Sequence, residues 1–306
     1  MRLSRETRFR IEHGLAEAVS HAVRWMPRSA TLAFGRFLGR LVGDIDRRHV
    51  DIAADNLKRA FPDWDDARLL RTARAVYAHL GQVLLDVIWM QGRAREEILE
   101  HVEVEGLEHI AAARAGGRGV VFATAHFGNW EMNGIAHAWL DRPMGAVARP
   151  LDNPWLDSRL LRLRQMSGNV VIEKRRGLQQ MLARLRGGED VAILIDQNVQ
   201  EKDGIFIDFF GRKAAATKVA AALHVKTGCG LVAGCAEALP GGRYRLRYER
   251  PLENEPSGSR LADIARLTQR LNDSIEAWVR ERPEQWLWIH KRWKTQPRPG
   301  TAADGG

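Results

Sequence analysis

Four residues separate His126 from Glu131 in the segment Ala123-Thr124-Ala125-His126-Phe127-Gly128-Asn129-Trp130-Glu131. An imidazole titrates near the working pH and can take a proton from an alcohol. A carboxylate on its other ring nitrogen fixes the tautomer and stabilises the imidazolium that forms. An alcohol activated in this way can attack a thioester directly, with no covalent enzyme intermediate. General base catalysis supplies ~10²–10⁴-fold, so positioning and oxyanion stabilisation must supply the rest. The residue types leave two other readings open: a hydrogen-bonded turn histidine, and a pair of metal ligands without an evident third.

The pair must be positioned by the elements on either side. Val120 to Ala123 reads as a short apolar strand, and a helix begins near Asn129, which suits an N-cap. On one regular helix, side chains five positions apart diverge by about 140°. With His126 in the turn and Glu131 in the first helical turn, the two are expected to converge. Gly128 lets the turn bend and a substrate approach the backbone. The helix N-terminus adds backbone donors and a positive dipole end.

Beyond this segment strand and helix alternate. Strands are expected at 145–148, 170–172, 191–195, 231–235 and 244–248, and helices at 155–166, 176–186, 215–227 and 259–281. That order predicts an α/β fold with a largely parallel sheet covered by helices, preceded by an N-terminal helical region. Residues 66–92 repeat apolar side chains at three and four and read as a core helix. Residues 11–45 are apolar on one face, broken at Pro27, with Arg24, Arg28, Arg36 and Arg40 among them. Such a segment suits a helix lying in a membrane interface, and equally an ordinary surface helix. Three parts follow: a basic amphipathic membrane-associating region at 1–45, one α/β domain at 46–296, and a flexible Pro/Gly tail at 297–306.

Charge narrows the partners. Lys and Arg number 47 against 38 Asp and Glu, for a net charge of +9. This suits nucleic acid, an anionic membrane or a phosphorylated substrate. No recognised nucleic-acid module is visible. A P-loop is absent, since Gly116-Gly117-Arg118-Gly119 precedes a strand rather than following one. No clean signal-peptide core or run of about 18 apolar residues exists, so the catalytic domain is expected on the cytoplasmic side. Cys229 and Cys235 read as buried thiols of a reducing compartment. Trp286, Trp288 and Trp293 crowd with His290, Lys291, Arg292 and Lys294. That cluster suits the headgroup level of a bilayer, or core tryptophans followed by a solvated basic tail.

The setting HFGNWE around His-x4-Glu resembles the signature of the bacterial lipid A biosynthesis acyltransferases, the late lauroyl/myristoyl transferase family. Other blocks resemble the family in the same order over residues 45–294: Asn56 to Pro62, Arg149 to Pro154, Arg164 with Gly168, Leu194 to Gln197, Phe209-Phe210-Gly211 with Ala216-Thr217, and Pro283 to Trp293. The N-terminus departs from it, being charged and amphipathic where many members begin with an apolar anchor. The resemblance implies acyl transfer from an acyl carrier protein or CoA thioester to a hydroxyl of a lipid A precursor, with His126 and Glu131 as the catalytic dyad. It implies substrate-binding or active-site roles for Arg149, Arg164 and Asp196. The two arginines match phosphate geometry, and Asn129 joins the substrate-binding set. The acyl thioester is a co-substrate; no cofactor and no metal is expected. Expected partners are acyl carrier protein, a glycolipid acceptor and an anionic membrane surface, not nucleic acid, at the cytoplasmic face of the bacterial inner membrane. One alternative is acylation of another glycolipid such as a phosphatidylinositol mannoside. Another is a non-catalytic basic membrane- or nucleic-acid-binding protein, for which charge reversal at Lys291 and Arg292 would matter more than loss of His126. A hydrolase using the same dyad on water is a third.

Overall fold

The computed structural model of the protein describes residues 4–173 and 177–297. Most of the expected tail therefore lies outside the described residues. Four helices come first: α1 (Arg5–Arg24), α2 (Arg28–Ile45), α3 (Arg47–Ala60) and α4 (Asp66–Met90). Pro27 separates α1 from α2 as its missing N–H and fixed φ dictate. Asp65 caps α4 by accepting from Arg68 N.

The α/β part follows as α5 (Arg95–Leu99), β1 (Val102–Glu105), α6 (Leu107–Ala113), β2 (Val120–Thr124), α7 (Trp130–Leu140), β3 (Met144–Ala148), α8 (Pro154–Gln165), β4 (Val170–Glu173), α9 (Gly177–Arg186), β5 (Asp190–Leu194), β6 (Gly204–Phe209), β7 (Arg212–Thr217), α10 (Val219–Thr227), β8 (Gly230–Ala238), β9 (Tyr244–Tyr248) and α11 (Arg260–Glu281). Seven strands form one sheet in the order β1-β9-β8-β2-β5-β3-β4. Only the β8/β9 pairing is antiparallel; β1/β9, β8/β2, β2/β5, β5/β3 and β3/β4 run parallel. β2 sits at the centre, buried along its whole length, as expected of a strand covered on both faces.

Each face has its own core. Val121, Ala123, Val191 and Ile193 face a cluster shared with α3, α9, α10 and α11. Val120, Phe122, Met144 and Tyr244 face one shared with α5, α6 and α7. α4 is long enough to join both, through Leu69 to Tyr77 on one side and Val83 to Met90 on the other.

The predicted alternation holds, with one correction. Residues 215–218 do not begin a helix; β7 pairs antiparallel with β6 as a separate hairpin, and α10 starts at Val219. Three alanines in a row favour helix by propensity, but the hairpin pairing overrides it. Phe210 and Gly211, both at positive φ, form the two-residue turn that joins the strands.

The three tryptophans of the C-terminal segment also need correcting as interface residues. Trp286 and Trp288 are fully buried and Trp293 nearly so, and Arg292 is buried with them. Arg292 donates Nη1 to the Ala215 carbonyl and stacks over Phe209. Burial pushes its pKa down to about 10. The segment is core, so charge reversal at Arg292 would disrupt packing rather than a surface.

Candidate active site

Register explains which residues meet. β2 and β5 pair with Thr124 opposite Leu194, and Ile195 N donates to the Thr124 carbonyl. Two residues past each strand end, His126 and Asp196 therefore face each other at the C-terminal edge of the sheet. Open α/β sheets place ligand sites at that edge. His126 Nδ1 lies 2.8 Å from Asp196 Oδ1, and the His126 backbone N donates to Asp196 Oδ2 at 2.9 Å. Trp286 Nε1 gives Oδ2 a further donor at 2.9 Å.

The turn after His126 is fixed from several sides. Gly128 has φ +58, and a Cβ there would fall 1.8 Å from the Ala236 carbonyl oxygen. Gly128 N donates to Gln285 O, Asn129 N to Ala236 O, and Leu287 N to His126 O. α7 then starts with Asn129 as N-cap, its side chain accepting from Met132 N at 3.0 Å.

The expected partnership of His126 with Glu131 is not formed. Glu131 is in the first turn of α7, as predicted, but that turn aims it at α8. There Arg164 donates Nε to Oε2 at 2.9 Å and Nη2 to Oε1 at 2.6 Å. The imidazole's Nδ1 belongs to Asp196, 70 residues away in sequence. Asn129 also departs from expectation. It is fully buried, and its amide serves as helix cap and as donor to the buried Asp86 rather than facing a substrate. Arg149 has an 81% exposed side chain at the site's rim, 3.7 Å from Asp152.

Electrostatics follow from this layout. Burial alone would lower the His126 pKa, but the Asp196 charge and hydrogen bond outweigh it; Glu131 adds to the rise and Arg164 opposes it. The net pKa is above the ordinary imidazole value. Asp196 is fully buried, which would raise its pKa, yet the His126 charge and hydrogen bond, with His290, hold it far below the usual carboxylate range. Arg164 is desolvated, but its bond to Glu131 more than restores its affinity for the proton.

A cavity of about 670 Å³ opens at this edge, lined by His126, Glu131, Arg149 and Arg164. Phe122, Ile135, Met144 and Ala146 also line it, together with His137, Asn169 and Tyr248, so the cavity is partly apolar. The volume is in the range of small-molecule sites. Among the described residues, one group has metal-ligand spacing: His137, Asp141 and Asp190. Arg114 pairs both carboxylates and Arg142 pairs Asp190, so cationic side chains already balance the two acids.

Residues 5–295 match the family described as bacterial lipid A biosynthesis acyltransferase. The chain belongs to that family. It is therefore an acyltransferase. It is 26% identical over 275 residues to a lipid A biosynthesis lauroyltransferase of Escherichia coli, covering 89% of this chain and 88% of the relative. It is 29% identical over 271 residues to a lipid A biosynthesis palmitoleoyltransferase of the same organism, 85% of each. A phosphatidylinositol mannoside acyltransferase of Mycobacterium tuberculosis is 29% identical over 198 residues, 62% of this chain and 59% of the relative. Of the residues that the acyltransferase's own sequence pointed to, His126, Glu131 and Arg164 line one cavity and Asp196 lies buried behind His126, but they are paired crosswise. Sequence reasoning missed Asp86, which accepts from Asn129, and His79, whose Nε2 lies 3.1 Å from the Gly128 carbonyl; the signal for both was a polar side chain inside the apolar run of α4.

Proposed function

We propose that this acyltransferase moves a fatty acyl group from an acyl carrier protein or CoA thioester to a hydroxyl of a lipid A precursor, with His126 as general base. The observation that carries this is the His126 imidazole at the mouth of a partly apolar cavity, its Nδ1 held by a buried carboxylate. Nδ1–H donates to Asp196, which leaves Nε2 as the acceptor for the substrate hydroxyl proton. The resulting imidazolium is stabilised by Asp196, and the alkoxide attacks the thioester carbonyl. The thiolate leaves and takes the proton back from Nε2.

Glu131 and Arg164 act as a unit in this scheme. Arg164 uses two of its five N–H donors on Glu131, so the guanidinium is fixed with donors left for an anionic group at the mouth. It can serve an acceptor phosphate or the developing oxyanion. Arg149, exposed at the rim, suits a phosphate or an acidic carrier. The apolar part of the lining, Phe122, Ile135 and Met144 among it, suits an acyl chain.

Lipid contact is assigned to α1 and α2. No helix among the described residues is long and apolar enough to cross a membrane. Yet α1 exposes Ile11 and Leu15, with Trp25 just beyond, and α2 exposes Phe34, Phe37, Leu41 and Ile45. α2 packs on α4 through glycines instead: a Cβ on Gly39 would lie 2.1 Å from Tyr77 O, and one on Gly81 2.2 Å from Gly35 O. Phe34, Phe37, Leu41 and Ile45 are thus turned outward, with Arg36 and Arg40 beside them, while Leu32 stays buried. That arrangement suits an anionic lipid surface such as the cytoplasmic face of the inner membrane.

The test is incubation of purified protein with isotope-labelled acyl carrier thioester and a lipid A precursor, followed by mass spectrometry of the lipid. An acylated precursor, lost in His126→Ala, is expected. Acylation of phosphatidylinositol mannoside alone would transfer the proposal to that acceptor. Release of free fatty acid with no lipid product would overturn it.

A further inference from the structure

Asp86 is an unusual residue to find in the middle of a core helix. It is fully buried, within the run Val83-Leu84-Leu85-Asp86-Val87-Ile88. A buried carboxylate is costly unless every acceptor site is met. Here four donors meet it. Arg28, the first residue of α2, donates Nε to Oδ1 and Nη2 to Oδ2, each at 2.9 Å. Tyr244 Oη donates to Oδ2 at 2.7 Å and Asn129 Nδ2 at 3.3 Å. The Arg28 guanidinium is itself held, by the Gly242 carbonyl at 2.5 Å and against the rings of Trp89 and Tyr244.

The Asn129 contact gives this network a consequence. The same amide that donates to Asp86 caps the helix carrying Glu131, three residues after His126. A second tie from α4 reaches the same turn, His79 Nε2 to the Gly128 carbonyl at 3.1 Å. Burial lowers the His79 pKa to about 4, so the ring is neutral and Nε2 carries the proton that it donates. α4 therefore grips the catalytic turn at two consecutive residues. The same helix packs against α2 at backbone distance, through Gly39 and Gly81.

We propose that Asp86 is a positioning residue for acyl transfer: with Arg28 it locks Asn129, and so ties the catalytic turn to the α2–α4 pair whose outer face contacts lipid. Its catalytic consequence rests on the acyl-transfer role proposed above. Seating α2 on a lipid surface and placing His126 beside the Glu131–Arg164 pair then become one rigid-body event rather than two. A misplacement on the order of 1 Å at a reacting group costs ~10²-fold in rate, so the tie matters without touching substrate.

The test compares three full-length variants with wild type. Asp86→Asn keeps the volume but loses the acceptors on one oxygen. Asn129→Ser is milder: it keeps an N-cap oxygen and loses only the donor to Asp86. Val83→Ala, a core truncation in the same helix, controls for destabilisation alone. Hydrogen exchange of the amides of 126–132 is read first, followed by kcat and KM for the acyl donor well below the melting temperature. The expectation for Asn129→Ser, and for Asp86→Asn if it folds, is exchange about tenfold or more faster in 126–132 with β5 unchanged. In the same variants kcat should fall ~10–100-fold with KM within about threefold. Val83→Ala should lower the melting temperature and leave both readouts within about twofold. Unchanged exchange in Asn129→Ser, or loosened exchange with wild-type kcat, would overturn the proposal. If wild type itself transfers no acyl group, the functional assignment fails, and the exchange measurement still decides whether Asp86 holds the turn.

Discussion

Two acid–base pairs stand at one end of the sheet, and they are built differently. His126–Asp196 is closed: the carboxylate is fully buried, and it accepts from an imidazole, a backbone amide and an indole. Glu131–Arg164 is open: both residues line the cavity, and the glutamate's side chain keeps 10% and the arginine's 22% of its exposure. Position accounts for the difference. Asp196 lies just past the end of β5, a central parallel strand beside β2, where the His126 backbone amide and the His126 and Trp286 side chains close over it. Glu131 begins a helix, and Arg164 ends another, at the cavity wall. A carboxylate meant to hold one tautomer is best kept from water, whereas a guanidinium meant for an anionic substrate must keep donors free.

The sharpest way to break this comparison is to remove each acid in turn. Asp196→Asn keeps the shape but cannot hold Nδ1–H with a charge, so kcat/KM should fall ~10⁴-fold. His126→Ala should fall at least as far. Glu131→Gln should cost less, ~10²–10³-fold, the loss typical of one preorganised electrostatic contact. If Glu131→Gln proved the more damaging of the two, the roles of the pairs would have to be exchanged. Steady-state rates with a labelled acyl thioester measure all three.

The pH profile sharpens it further. The base works as neutral imidazole, and its pKa is raised, so activity should rise with pH through a midpoint above the ordinary value of ~6.5. Glu131 raises that pKa and Arg164 lowers it. Glu131→Gln should therefore move the acid limb of kcat/KM to lower pH, and Arg164→Met to higher pH. Movement of both in the same direction would contradict the electrostatic layout.

Smaller effects separate the aromatic segments at the two ends of the chain. Trp286→Phe removes a donor to Asp196 in the core and should cost about 1.5–3 kcal/mol in urea unfolding. Phe37→Ser, on the outer face of α2, should leave stability within about 0.5 kcal/mol. Its effect should instead be weaker flotation with anionic vesicles.

Much of this site is legible in the amino-acid sequence because it lies where strands stop. The apolar runs before His126 and Asp196 mark two strand ends, and both residues belong to blocks that resemble the family. Pairing is harder to read: proximity in the chain favours Glu131, while the β2/β5 register that selects Asp196 is a property of the sheet. The glycines of α2 had the same ambiguity. Their spacing at 35, 39 and 43 looks like ordinary helix until α4 is found against them, which turns Phe37 and Ile45 outward. The C-terminal tryptophans share the basic, aromatic composition of that region and go inward, because β6 and β7 supply them a partner. Composition ranks both segments alike, and only the packing face distinguishes them.

The most direct test of the account is the ionisation of His126 itself, followed by carbon-13 NMR of the labelled imidazole in wild type and in Asp196→Asn. A wild-type midpoint above ~6.5 that falls when Asp196 loses its charge, with Nδ1 protonated in the neutral ring, is the predicted result. A midpoint that is the same in both proteins, but shifts in Glu131→Gln, would contradict it.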